Sequence, residues 1–90
     1  MQTTLPGEDL VRQGLRDLAE GRMTVEACLV SIGAARLRRS GFDPGPNTIP
    51  MPEHRLYEIL ARENSDAAHS RYNALIRRLV SFERAAACAK

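Results

Sequence analysis

Ninety residues with 43% hydrophobic side chains and a net charge of +2 are enough for one domain and too few for two, and such a chain buries only about 60–68% of its unfolded surface. The small net charge argues against a molecule that holds polyanions by bulk charge. Aromatic residues are limited to Phe42, Tyr57, Tyr72 and Phe82, with no tryptophan, so aliphatic side chains must fill the interior, which suits helix packing better than a β-sandwich.

Residues 1–6 lack the basic start and apolar run of a secretory signal, and no stretch reaches the ~20 apolar residues of a membrane span. The expected location is cytoplasmic, without membrane contact. Cys28 and Cys88 show neither CxxC spacing nor a dense framework, so both thiols are expected to be free in a reducing compartment, Cys28 as a small core residue.

The first helix is predicted over residues 6–20. Leu10, Val11, Gly14, Leu15 and Leu18 recur at three- and four-residue steps, while Arg12, Gln13, Arg16, Asp17 and Glu20 form the polar side. Thr4 is a candidate cap, Pro6 suits the first turn, Glu8 and Asp9 favour the positive helix end, and Gly21 stops the helix. Gly14 interrupts the apolar stripe at about 1 kcal/mol of helix propensity, which points to a neighbouring helix passing close there.

The second helix is predicted over residues 25–33, capped by Thr24, with Val25, Cys28, Leu29 and Ile32 on one face. Continuing its phase past Gly33 would bring Arg36 and Arg39 onto that face, so the chain should break near Gly33 and resume as a short helix over 34–40. Residues 41–52, GFDPGPNTIPMP, carry four prolines and two glycines and cannot form a helix interior. They read as an ordered strap anchored by Phe42, Ile49 and Met51.

A fourth segment, 53–63, buries Leu56, Tyr57 and Leu60, with Ile59 on the flank. Asn64, Ser65 and Asp66 supply a turn and the next cap. The last helix, 66–87, carries an apolar stripe of Ala68, Tyr72, Leu75, Ile76, Leu79, Phe82 and Ala86 about 140° wide. The predicted fold is a single all-α domain, a compact bundle of four to five helices with an antiparallel C-terminal helical hairpin and a proline-rich strap.

Three groups of residues are candidates for function. EHRLYEIL and AHSRYNAL each place a histidine three residues before a tyrosine, but at 100° per residue His54 falls on the solvent side, near Glu58, while Tyr72 lies near the centre of the apolar stripe and His69 at its margin, beside Ile76 and Asn73. With no HExxH or Cys–His cluster, no metal or other cofactor is expected. Glu83 adjoins Ile76 and Leu79 on the core-facing flank, so a partner such as Arg36 or Arg39 is expected. An enzyme built on His69, Tyr72 and Glu83 is the least favoured reading, since no nucleophile or phosphate loop accompanies them.

Arginines dominate the bases, twelve against Lys90 alone. Arg36, Arg38 and Arg39 cluster on the short helix, and Arg71, Arg77, Arg78 and Arg84 on the last one. They are candidate anion contacts, and a nucleic-acid-binding accessory role is the alternative function. The broad apolar stripe favours a different one: a non-enzymatic protein-interaction or regulatory module that forms a homodimer or meets an unidentified protein partner.

Overall fold

Every regular element among the described residues, 5–88, of this computed structural model is a helix: α1 (Glu8–Ala19), α2 (Val25–Ile32), α3 (Ala34–Arg39), α4 (Pro52–Glu63) and α5 (Ala68–Cys88). They pack into a compact all-α bundle with extents of 38 × 26 × 23 Å. α1 packs chiefly on α2, α2 also on α4, and α4 on α5. No described helix is long and apolar enough to cross a membrane.

The start of α1 differs from the expectation. Gly7, with φ 77°, is the N-cap, and Pro6 lies in the preceding turn rather than in the helix. Glu8 takes over part of the capping work by accepting the Leu5 backbone N–H at 3.0 Å. The proposed Thr4 cap lies outside the described residues. Glu8 and Asp9 do occupy the first turn, where negative charge meets the helix's positive end.

The close approach suggested by Gly14 is present. A Cβ there would run into the Glu26 carbonyl oxygen and Val30 Cγ2, so α1 and α2 meet almost backbone to backbone. Around this contact Val11, Leu18, Leu29 and Val30 are at most 2% exposed. Asp17, placed by periodicity on the polar side, is instead buried at 3% exposure. It accepts from Thr24 Oγ1 at 2.6 Å and Gln13 Nε2 at 2.9 Å, and Thr24 in turn accepts the Ala27 N–H at 3.1 Å. The end of α1 is thereby tied to the cap of α2. The Thr24 bond, helped by Gln13 and the Arg22 and Arg16 charges, outweighs burial and holds the Asp17 carboxyl below its usual range.

Gly33 separates α2 from α3. It is buried against α5, where an added Cβ would strike Glu83 Oε2 and come within 3.3 Å of Leu79 Cδ1. α3 then turns Leu37, fully buried, into the core and leaves Arg36, Arg38 and Arg39 outside. The break thus resolves the phase conflict: a straight helix would have pushed arginines inward.

The strap is held from several sides. Phe42 meets Phe82 edge-on at 5.1 Å between centroids, Ile49 is buried, and the Ile49 N–H donates to Ser31 Oγ at 2.9 Å. Met51 is not an anchor. It is 69% exposed and takes a left-handed conformation, φ 50°, as the N-cap of α4, where the following Pro52 by itself would favour an extended backbone.

α4 and α5 fold back on each other: Glu63 meets Arg71, and further from the turn Tyr57 meets Tyr72, with ring centroids 5.9 Å apart. Such pairings diverge from the turn as an antiparallel hairpin requires. The turn is built by Asn64, whose Oδ1 accepts from the N–H groups of Asp66 and Ala67 at 3.1 and 3.2 Å. α5 has 21 residues, about 31 Å of helix, and outruns α4. Its C-terminal half packs through Leu79, Phe82 and Ala86, all buried.

Candidate functional site

Two surface grooves bring polar and apolar side chains together. The first, of about 580 Å³, runs between α3 and the second half of α5 and is lined by Arg36, Arg39, Ser40, Val80, Glu83, Arg84 and Ala87. On α5 the four lining residues follow helical spacing, which sets Val80, Glu83, Arg84 and Ala87 on one flank.

Glu83 is 7% exposed. Its Oε1 lies 3.3 Å from Arg36 Nη1, whose side chain is 70% exposed, so one partner is buried and the other solvated. Oε2 has no hydrogen-bond partner and lies over Gly33, and it is the buried side-chain atom left unsatisfied among the described residues. An unpaired buried acceptor of this kind is uncommon and costs about 1–3 kcal/mol or more. The missing Cβ at Gly33 makes room for it.

The seven arginines singled out by sequence do not form one surface. Arg36, Arg39 and Arg84 converge on the first groove. Arg38 turns to the strap, meeting Asp43 Oδ1 at 3.4 Å and the Gly45 carbonyl at 3.1 Å. Arg71 pairs with Glu63 at 2.6 Å and Arg78 with Asp9 at 3.3 Å. Arg77 is exposed, and among the described residues neither it nor Arg84 forms an ion pair.

The second groove, of about 500 Å³, lies where α1, α2, α4 and α5 meet. Leu10, Val25, Ile59 and Leu75, each partly buried, supply its apolar surface. Glu26, Glu63, Arg71 and Arg78 bring both signs of charge to the same place. The apolar residues were legible as core-stripe members, but their sharing of one surface depends on how four helices are arranged, which no single helical wheel contains.

His69, Tyr72 and Glu83 do not converge. His69 is exposed rather than at the core margin and lies 3.2 Å from Asn73 Nδ2. Tyr72 is half-buried against Tyr57, and neither His69 nor Tyr72 lines either groove. His54 stands exposed, 3.8 Å from Glu58. Among the described residues no group of three or more His, Cys, Asp and Glu side chains is arranged to hold a metal. Cys28 is buried, which pushes its thiol up from the ordinary value, and Cys88 is exposed.

No protein-family model, curated protein or solved structure matches the chain. The functional reading rests on the geometry of the grooves.

Proposed function

We propose that the protein is a small non-enzymatic interaction module that self-associates through the face where α1, α2, α4 and α5 meet. The observation that carries this reading is the make-up of the second groove, which brings Leu10, Val25, Ile59 and Leu75 together with Glu26, Glu63, Arg71 and Arg78. Apolar and charged side chains sharing one patch match the composition of a protein–protein contact. A surface that carries both signs supports pairing with a second copy wherever an acidic group of one meets a basic group of the other. The existing Arg71–Glu63 pair is solvent-exposed on both sides, and exposed pairs are worth only about 0–1 kcal/mol, so they exchange partners across an interface at small cost.

Nucleic-acid binding has less support. A phosphate-tracking surface needs arginines in a row, and three of the seven are instead drawn to Asp43, Glu63 and Asp9. α3, with only six residues and Leu37 committed to the core, is short for a recognition helix. Light scattering on size-exclusion fractions, at low and high salt and with or without mixed duplex DNA and RNA, separates the readings. Self-association predicts a dimer mass that persists in salt and is unaffected by nucleic acid. A monomer that forms a salt-sensitive complex with nucleic acid would reverse the choice.

A further inference from the structure

The four-helix face holds a carboxylate without a counter-ion. Glu63 and Arg71, which both line the groove, satisfy each other at 2.6 Å, and Arg78 reaches Asp9 at 3.3 Å. Glu26 lines the same groove, is partly buried, and forms no ion pair among the described residues. In a single copy it needs none, because it sits in the first turn of α2, where the positive helix end and the surrounding water both favour a carboxylate. Covering the face takes that water away, and a charge withdrawn from water has to be paired. The lining cations that a second copy brings are Arg71 and Arg78.

Those two differ in availability. Arg71 holds Glu63 in a short charge-assisted hydrogen bond, and releasing it would leave Glu63 in the groove without a partner. The partner of Arg78 is Asp9, whose side chain is 80% exposed and lies outside the groove lining, so water replaces the guanidinium there at little cost. We propose, on the reading of this face as a self-association surface, that Glu26 of one copy pairs with Arg78 of the other. In an isologous dimer the contact occurs twice. Apolar burial is non-directional and sets no register; a pair of opposite charges does, and it fixes how Leu10, Val25, Ile59 and Leu75 of the two copies cover one another.

The test is charge reversal followed by mixing, read as mass against concentration in sedimentation equilibrium of the full chain. Glu26→Arg sets like charges together at both contacts of a homodimer, and so does Arg78→Glu. Each variant alone is expected to dimerise at least about tenfold more weakly than the parent. Mixed in equal amounts, the two regain an opposite pair at both contacts, and a dimer of parent-like affinity returns, which also shows that both variants are folded. The double variant Glu26→Arg, Arg71→Glu is expected to associate no more tightly than Glu26→Arg alone. A parent that stays monomeric overturns the self-association reading and this pairing with it. A parent that dimerises, loses the dimer in Leu75→Lys and keeps it in either charge-reversed variant leaves that reading in place and overturns the pairing alone. A mixture that recovers no dimer, or recovery in the Arg71 double variant, overturns the pairing in the same way.

Discussion

Replacing Gly14 by alanine sets two effects of known size against each other. Alanine is favoured over glycine in a helix interior by about 0.8–1.0 kcal/mol, so on an open face of α1 the change would stabilise. Here the new Cβ meets the Glu26 carbonyl oxygen and Val30 Cγ2. The valine methyl can turn away, but the carbonyl belongs to the backbone of α2, and relief requires the two helices to move apart. That loosens Val11, Leu18, Leu29 and Val30 together. Overpacking of this kind costs about 1–3 kcal/mol, and a backbone contact places it at the upper end, so a net loss of about 2 kcal/mol remains after the propensity gain. In a domain of this size each kcal/mol shifts the melting point by about 4–8 °C, so Gly14→Ala should melt about 8–16 °C lower. Thermal melts followed by far-ultraviolet circular dichroism, with the urea midpoint as a second readout, measure it directly. A variant that melts higher than the parent would show that α1 and α2 do not approach as closely as described.

Other outcomes follow from single contacts. Asp17 has a folded pKa below its ordinary 3.8, so the folded state binds fewer protons than the unfolded one; its stabilisation is complete above the unfolded value and is lost as pH falls through the folded value. Urea midpoints measured from neutral to strongly acidic pH should therefore fall more steeply for the parent than for Asp17→Asn, and parallel curves would contradict the assignment. Glu83→Met removes a buried carboxylate with an unsatisfied oxygen while leaving the solvated Arg36 at no penalty, so it should be neutral or stabilising by about 1 kcal/mol; marked destabilisation would mean that the Arg36 pair holds α3 to α5. A thiol-reactive dye should label Cys88 at once and Cys28 only on unfolding, since one is exposed and the other buried with its thiol held protonated. Two fast-reacting thiols in the native protein would place Cys28 outside the core.

What the sequence made legible was mostly periodic. The helical stripes, the break at Gly33, the packing role of Gly14 and the anchoring of the strap by Phe42 and Ile49 all follow from spacing and from what proline and glycine permit. Where the reading missed, a contact between elements decided the outcome. Asp17 reads as a surface residue on its own helix and is buried because Thr24, seven positions on, supplies a donor. Met51 reads as an apolar anchor and is instead an exposed, left-handed N-cap of α4. His69 reads as a boundary residue because a wheel assigns an angle, not the depth of neighbouring helices. Glu83 was visible as an awkward charge calling for an arginine, and Arg36 lies within reach. Its second oxygen, orphaned over Gly33, was not visible, since only the meeting of α5 with the α2–α3 junction creates that position.

Sedimentation equilibrium of the parent chain and of Leu75→Lys, from about 10 µM to about 1 mM, tests the proposed self-association most directly. Leu75 lines the groove at the four-helix face and is only partly buried, so a lysine there lets its stem lie along the surface while its charge remains in water. The account predicts that the parent mass rises from 10.0 kDa toward twice that value with concentration, and that Leu75→Lys, with an unchanged circular dichroism spectrum, stays at the monomer mass. A parent that remains monomeric throughout, or a Leu75→Lys protein that associates as well as the parent, would contradict it.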